Sequence, residues 1–190
     1  MQATSKIEKR YTYADYYAWN DDKRWELVDG IPYMMSPAPS STHQRISMNL
    51  STAFSVYLQG KKCEVFAAPF DVRLNSEGAD NTVVQPDISI ICDPEKTKDD
   101  QGCKGAPDLI VEILSPSTAK MDRIVKFKLY EKAKVKEYWI VDPFHNMVEV
   151  FTLKGESYQS QLYAAEDIIS VGIFDSLEVD LGTIFENNIA

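Results

Sequence analysis

A glutamate inside an unbroken aliphatic run constrains this chain more than any other feature. In Leu109-Ile110-Val111-Glu112-Ile113-Leu114, Glu112 is the one polar residue. A continuous apolar run of this length reads as a strand buried on both faces. An ionised carboxylate at its centre is too costly unless it is paired, protonated or bound to a cation. A salt bridge to a buried Arg or Lys is the simplest solution. A second acid opens another. Val83-Val84-Gln85-Pro86-Asp87-Ile88-Ser89-Ile90-Ile91 places Asp87 at the start of a second apolar strand. Read alone, Asp87 is an exposed strand-end acid that caps backbone. Two carboxylates converging from adjacent strands, however, offer hard oxygen ligands of the kind Mg²⁺ takes, with water and phosphate oxygens completing the octahedron.

A helix is expected after Glu112, from about Ser117 to Lys134. Asp122, Lys126 and Tyr130 are spaced by four and form one stripe on it. If the stripe faces the sheet, the Lys126 ammonium can approach both carboxylates. There it could orient an attacking water or offset charge on a scissile phosphate. Read alone, Lys126 is one solvated lysine among many, and Lys128 points away from the stripe. A second helix is expected from about Thr42 to Leu58, with Ile46, Leu50, Ala53, Phe54 and Tyr57 on one face. His43 lies on that inward face, one turn earlier. Glu26 sits between Trp25 and Leu27 in a strand, so alternation turns it away from both and, read alone, toward solvent.

The rest of the chain arranges these elements. Thr12 and Asp15 form a capping-box-like start to a short helix. Asp29-Gly30 between two apolar runs signals a hairpin, and Pro32 assigns its second strand to an edge. Further strands are expected at Cys63–Ala68, Phe70–Leu74, Ile88–Cys92 and Glu137–Val141, with a hairpin of Met147–Leu153 and Ser157–Ala164 around Lys154-Gly155. Asp93–Pro107 reads as a loop, and the apolar tail Ile168–Phe185 closes the domain. The order predicts one α/β (α+β) domain over residues 1–190, with a mixed central β-sheet flanked by helices.

The formal net charge of -9 at pH 7 argues against a protein that coats nucleic acid by charge alone. It leaves room for a carboxylate site that attracts phosphate once a divalent cation is present. Lys120, Arg123, Lys126, Lys128, Lys132, Lys134 and Lys136 offer a locally basic segment. Three cysteines, Cys63, Cys92 and Cys103, without a C-x-x-C spacing, read as thiols in a reducing cytosol. Met1–Tyr11 has no apolar h-region and no apolar run approaches the roughly 20 residues of a membrane span, so the expected location is cytoplasmic.

Gln85-Pro86-Asp87, then Ala106-Pro107-Asp108-Leu109-Ile110-Val111-Glu112-Ile113-Leu114-Ser115-Pro116-Ser117-Thr118, Asp122, Lys126, Tyr130 and Glu137-Tyr138-Trp139-Ile140-Val141-Asp142-Pro143 together resemble the Uma-two family. This is a family of bacterial endonucleases in the PD-(D/E)xK, restriction-endonuclease-like superfamily. Trp25-Glu26-Leu27-Val28-Asp29-Gly30 and His43-Gln44 match it too, so the resemblance spans nearly the whole chain. It implies a Mg²⁺- (or Mn²⁺-) dependent endodeoxyribonuclease acting on DNA, often as a homodimer. Asp87 and Glu112 would bind the metal, with the backbone carbonyl of Ile113 as a further ligand. Leu114 stands where the superfamily's lysine is expected, and Lys126 would fill that role. Glu26 and His43 match positions near the site and join the candidates. Pro107-Asp108 also reads as a PD element, but Asp108 shares a strand with Glu112, so Asp87 is preferred. The hairpin around Gly155 and the tail are candidate dimer contacts. The alternatives are a nuclease-fold module for DNA binding or dimerisation with a weak or lost site, and a metal hydrolase of other phosphate esters.

Overall fold

A computed structural model describes residues 9–35 and 38–186. Ser36 and Pro37 lie outside the described residues. Helix α1 (Tyr13–Tyr17) is closed by the Thr12–Asp15 capping box. The hairpin of β1 (Trp25–Val28) and β2 (Ile31–Met34) turns through Asp29 and Gly30, at φ 49° and 80°. Positive φ at both positions is what a type I′ turn demands. Helix α2 (Ser41–Leu58) starts at the Ser40 cap and buries His43, Ile46, Leu50, Phe54 and Leu58. That face covers the sheet.

The central sheet is mixed and has six strands. In spatial order these are β11 (Ser157–Ala164), β10 (Met147–Lys154), β9 (Glu137–Asp142), β8 (Leu109–Ile113), β6 (Ile88–Ile91) and β3 (Glu64–Ala67). Strands β8 and β9 are parallel, with Ile113 opposite Val141, and the other neighbours are antiparallel. Strand β8 is buried on both faces, as its aliphatic run demands. Leu109, Val111 and Ile113 pack with Ile46, Leu50 and Phe54 of α2, while Ile110 packs with Tyr130, Tyr138 and Ile140 on the other face. Alternation puts Glu112 on the Ile110 face.

A second, five-stranded sheet lies beyond the sequence expectation. Its order is β2, β1, β5 (Val83–Val84), β4 (Val72–Arg73) and β7 (Cys103–Lys104). Residues 83–91 therefore supply two strands to two sheets, with the chain crossing at Gln85-Pro86-Asp87. Pro86 cannot donate to a ladder, which suits it to the crossing. Strand β2, with Pro32, pairs with β1 and is an edge of the sheet among the described residues. The expected Asp93–Pro107 loop holds a 3₁₀ turn at Pro94–Lys96 as well as β7. The tail forms β12 (Ile168–Ser170), β13 (Glu178–Asp180) and α4 (Leu181–Phe185), and gives Ile169, Val171, Val179, Leu181 and Ile184 to the core.

Two local expectations are corrected. The helix read over Ser117–Lys134 is a π-helical segment at Met121–Lys126 followed by α3 (Phe127–Lys132). The Phe127 N–H reaches back five residues to the Asp122 carbonyl, the π pattern. The cysteines are not all thiols: Cys63 and Cys92 form a disulfide, and Cys103 is free and buried. The antiparallel register that sets Glu64 opposite Ile91 brings Cys63 and Cys92 together one step further out. Spacing along the chain does not reveal such a cross-strand pair.

Glu137 at the head of β9 is fully buried, and the Trp139 indole N–H donates to its Oε1 at 2.6 Å. A Cβ at Gly172 would lie 2.7 Å from its Oε2, so the tail approaches this carboxyl where a side chain is missing. Burial pushes its pKa up, against the pull of Trp139 and the backbone N–H groups of Gly172 and Ile173. Above its ordinary value near 4.5 and up to the raised one, the folded protein therefore holds more protons than the unfolded chain. Through that window this group makes stability fall as pH rises. We predict that urea-unfolding free energies measured between about pH 4 and pH 8 decline less steeply in Glu137→Gln than in wild type. Parallel curves would show that Glu137 ionises as easily folded as unfolded.

Candidate active site

Glu112 meets its cation at Lys126. The Lys126 Nζ lies 2.9 Å from Glu112 Oε1, 2.9 Å from Glu26 Oε1 and 3.7 Å from Asp122 Oδ1. The Tyr130 hydroxyl also donates to Glu112 Oε1, at 2.6 Å. Relative exposure is 5% for Lys126, 4% for Glu112, 5% for Glu26 and 2% for Asp122, so water does little to screen these charges. The stripe of Asp122, Lys126 and Tyr130 faces the sheet as the four-residue spacing allowed, with its first two members on the π-helical segment. Asp122 and Tyr130 were legible in that stripe without a role of their own.

Asp87 stands at the crossing between sheets. Its Oδ2 accepts the Ile113 backbone N–H at 2.7 Å and lies 3.2 Å from His43 Nε2. Its backbone carbonyl accepts the Ala68 N–H at 3.0 Å. Two residues earlier, the Gln85 N–H donates to Glu26 Oε1 at 2.9 Å. Glu26 is thus buried, not solvated as alternation alone suggested. Strand β1 buries Glu26, Leu27 and Val28 in succession, so both its faces are covered. The five candidate side chains form two bonded groups, Glu26–Lys126–Glu112 and His43–Asp87, and the Ile113 backbone, next to Glu112 in the chain, links them through its N–H on Asp87.

Burial raises the Glu112 pKa well above the ordinary carboxyl value; Asp122, Asp87 and Glu26 push the same way and Lys126 opposes them. Asp122 is raised for the same leading reason, burial. Burial alone would lower Lys126, but Glu112, Glu26 and Asp122 outweigh it and hold its pKa well above the ordinary value. Burial also pulls His43 down, and the Asp87 hydrogen bond, its charge and the Ile113 backbone reverse the sign.

Among the described residues no three Asp, Glu, His or Cys side chains form a ready metal cage. Mg²⁺ does not need one, because it is bound through one or two carboxylates with water and phosphate oxygens. The donor set fits that habit. Asp87 Oδ1 and Glu112 Oε2 are not engaged in the contacts above, the Ile113 backbone lies between them, and three carboxylates share one lysine.

Asp108 is not part of this cluster. It lies at the other end of β8, accepting the Cys92 N–H at 2.8 Å and pairing with Lys136 at 2.6 Å. The basic segment is largely neutralised as well: Arg123 pairs with Glu149, Lys134 with Glu156 and Lys136 with Asp108.

The Uma2 family, described as "Putative restriction endonuclease", matches residues 13–182. The chain belongs to the Uma2 family. Two relatives are proteins of Synechocystis sp. (strain ATCC 27184 / PCC 6803 / Kazusa). One, slr1290, is 36% identical over 130 residues, covering 67% of this chain and 66% of that protein. The other, sll1609, is 30% identical over 158 residues, covering 81% and 85%. A crystal structure from Anabaena variabilis ATCC 29413, described as a "putative nuclease belonging to DUF820", superposes with a TM-score of 0.75 at 16% identity, covering 94% of this chain and 99% of that one. The fold is therefore that of this structure, and Uma2 membership supports a nuclease-type function.

We predict that Lys126→Met destabilises the protein by about 3–5 kcal/mol, since it strands buried carboxylates without their cation. Lys128→Met, at an exposed position two residues on, is expected to change stability by at most about 0.5 kcal/mol. Urea unfolding of both variants checks this, and equal losses would contradict it.

Proposed function

We propose that this protein is a divalent-cation-dependent endonuclease that hydrolyses DNA phosphodiester bonds. The observation that carries the reading is the convergence of Asp87, Glu112 and Lys126 on the Ile113 backbone, with Glu112 and Lys126 buried and Asp87 half-buried. Asp87, Glu112 and the Ile113 carbonyl would hold Mg²⁺ or Mn²⁺. When bound, the cation supplies an acidified water and neutralises charge on the phosphate. The protein's groups do the rest. His43 and the Ile113 N–H hold Asp87 through one oxygen and leave the other directed elsewhere. Tyr130 and Lys126 do the same for Glu112. Glu26 and Asp122 keep the Lys126 ammonium fixed and charged, so that it offsets the negative charge that builds on the phosphate. In a chain of net charge -9, a cation held by the carboxylates would supply the local positive charge that draws the phosphate backbone of DNA. A homodimer would set one such site against each strand of a duplex.

The rival, a nuclease-fold module for DNA binding or dimerisation, draws on one observation. Lys126 is engaged by Glu26, Glu112 and Asp122, and has to loosen one of them to meet a phosphate.

Calorimetric titration of Mn²⁺ into wild type, Asp87→Ala and Glu112→Ala, all checked for folding, is the direct test. We expect saturable binding in wild type and none in either variant, with Mg²⁺-dependent cleavage of plasmid DNA lost in parallel. His43→Ala is expected to lower metal affinity or cleavage about 10- to 100-fold, the usual cost of removing a group that orients a ligand. Metal binding without cleavage of any DNA form would favour the rival module.

A further inference from the structure

The turn joining β9 to β10 carries a phenylalanine in an unusual setting. Phe144 is 89% exposed, the most exposed of the large hydrophobic side chains among the described residues. Its backbone is nonetheless well held. Asp142 Oδ1 accepts the N–H groups of Phe144 at 3.0 Å and His145 at 3.2 Å, and Asp142 Oδ2 lies 3.0 Å from His145 Nδ1. Pro143 restricts the chain just before it. The ring meets His145 edge-on, at 4.9 Å between centroids. An ordered turn thus holds an aromatic ring out in water, where burial gives it no return.

The turn sits at the site's end of the sheet. Val141 of β9 is level with Ile113, whose N–H holds Asp87. Phe144 follows three residues later, in the tight turn just past the end of β9, so it lies at the edge of the same end of the sheet. The turn is also tied to the site's helical segment. Arg123, next to Asp122, bonds Glu149 of β10 at 3.1 Å and approaches Asp142 to 3.9 Å. One ring flanked by the polar His145 is far smaller than a protein–protein interface, which needs about 800 Å² per partner. It matches one nucleobase, whose π-face stacks on an aromatic side chain whatever its identity.

We infer that Phe144 stacks on an unpaired or splayed base of the bound nucleic acid and sets the register of the strand that runs past Asp87 and Glu112. This deepens the nuclease reading and rests on it. Base stacking on one ring does not select a sequence, so the contact favours strands with exposed bases over intact duplex.

The test uses the full chain as wild type, Phe144→Ala and Phe144→Trp, with Ca²⁺ in place of Mg²⁺. Binding to a single-stranded oligonucleotide containing 2-aminopurine, and to its duplex, is followed by anisotropy and by 2-aminopurine emission. The expected result is an affinity for the single strand about fivefold or more weaker in Phe144→Ala and retained in Phe144→Trp. The emission change on binding should persist in Phe144→Trp and vanish in Phe144→Ala, while Mn²⁺ binding is unchanged in both. Equal affinities and equal emission changes in all three proteins would overturn the inference while metal-dependent cleavage still upheld the nuclease reading. Wild type that binds neither DNA would overturn both. Loss of self-association in Phe144→Ala at unchanged DNA affinity would assign the ring to a second copy of the chain and overturn base stacking.

Discussion

One buried ammonium joins three parts of this protein. Lys126 comes from the π-helical segment that precedes α3, Glu112 from the six-stranded sheet and Glu26 from the five-stranded sheet, and all meet at Nζ. Asp122, from the lysine's own segment, approaches the same atom. At such low exposure each charge depends on the others, because a stranded buried carboxylate is far costlier than an exposed one. The attraction between Lys126 and its carboxylates therefore also fixes how two sheets and a helix meet. Geometry of this kind is what a catalytic site requires of its surroundings.

The site lies where the two sheets exchange a chain. Gln85 ends its run in one sheet with its N–H on Glu26, and Asp87 begins the next with its carboxylate on the Ile113 N–H. A proline between them supplies no ladder bond to either side. Asp87 is thus a strand-start acid whose capping of backbone is real, at Ile113, and serves to aim the carboxylate. Of the two readings that the sequence left open for it, the structure shows the backbone cap, through Oδ2, while the site acid is the role proposed above for the carboxylate. The same division holds at Glu112, where Oε1 takes both Lys126 and Tyr130. The surplus of carboxylates over cations in this cluster, set in a chain of net charge -9, is a state that a dication relieves.

The amino-acid pattern by itself determined the local elements and the problem they create. Capping at Thr12, the Asp29-Gly30 turn, the α2 face and the hairpin around Gly155 are all short-range signals, settled within a few residues by dihedral preference and periodicity, and the structure shows each. The aliphatic run around Glu112 announced a buried acid in need of a partner, and the spacing of four after it nominated Lys126. Tertiary structure decided what depends on residues far apart in sequence. Glu26 is buried because its own five-stranded sheet packs it against Lys126, and that sheet is completed by two-residue strands too short to leave a periodic signal. Cys63 and Cys92 bond because of cross-strand register, and residues 121–126 take a π-helical form where periodicity reads an ordinary helix. Local propensity acts over a turn or two of chain, whereas a buried charge or a cross-strand bond is decided by whatever distant elements close around it.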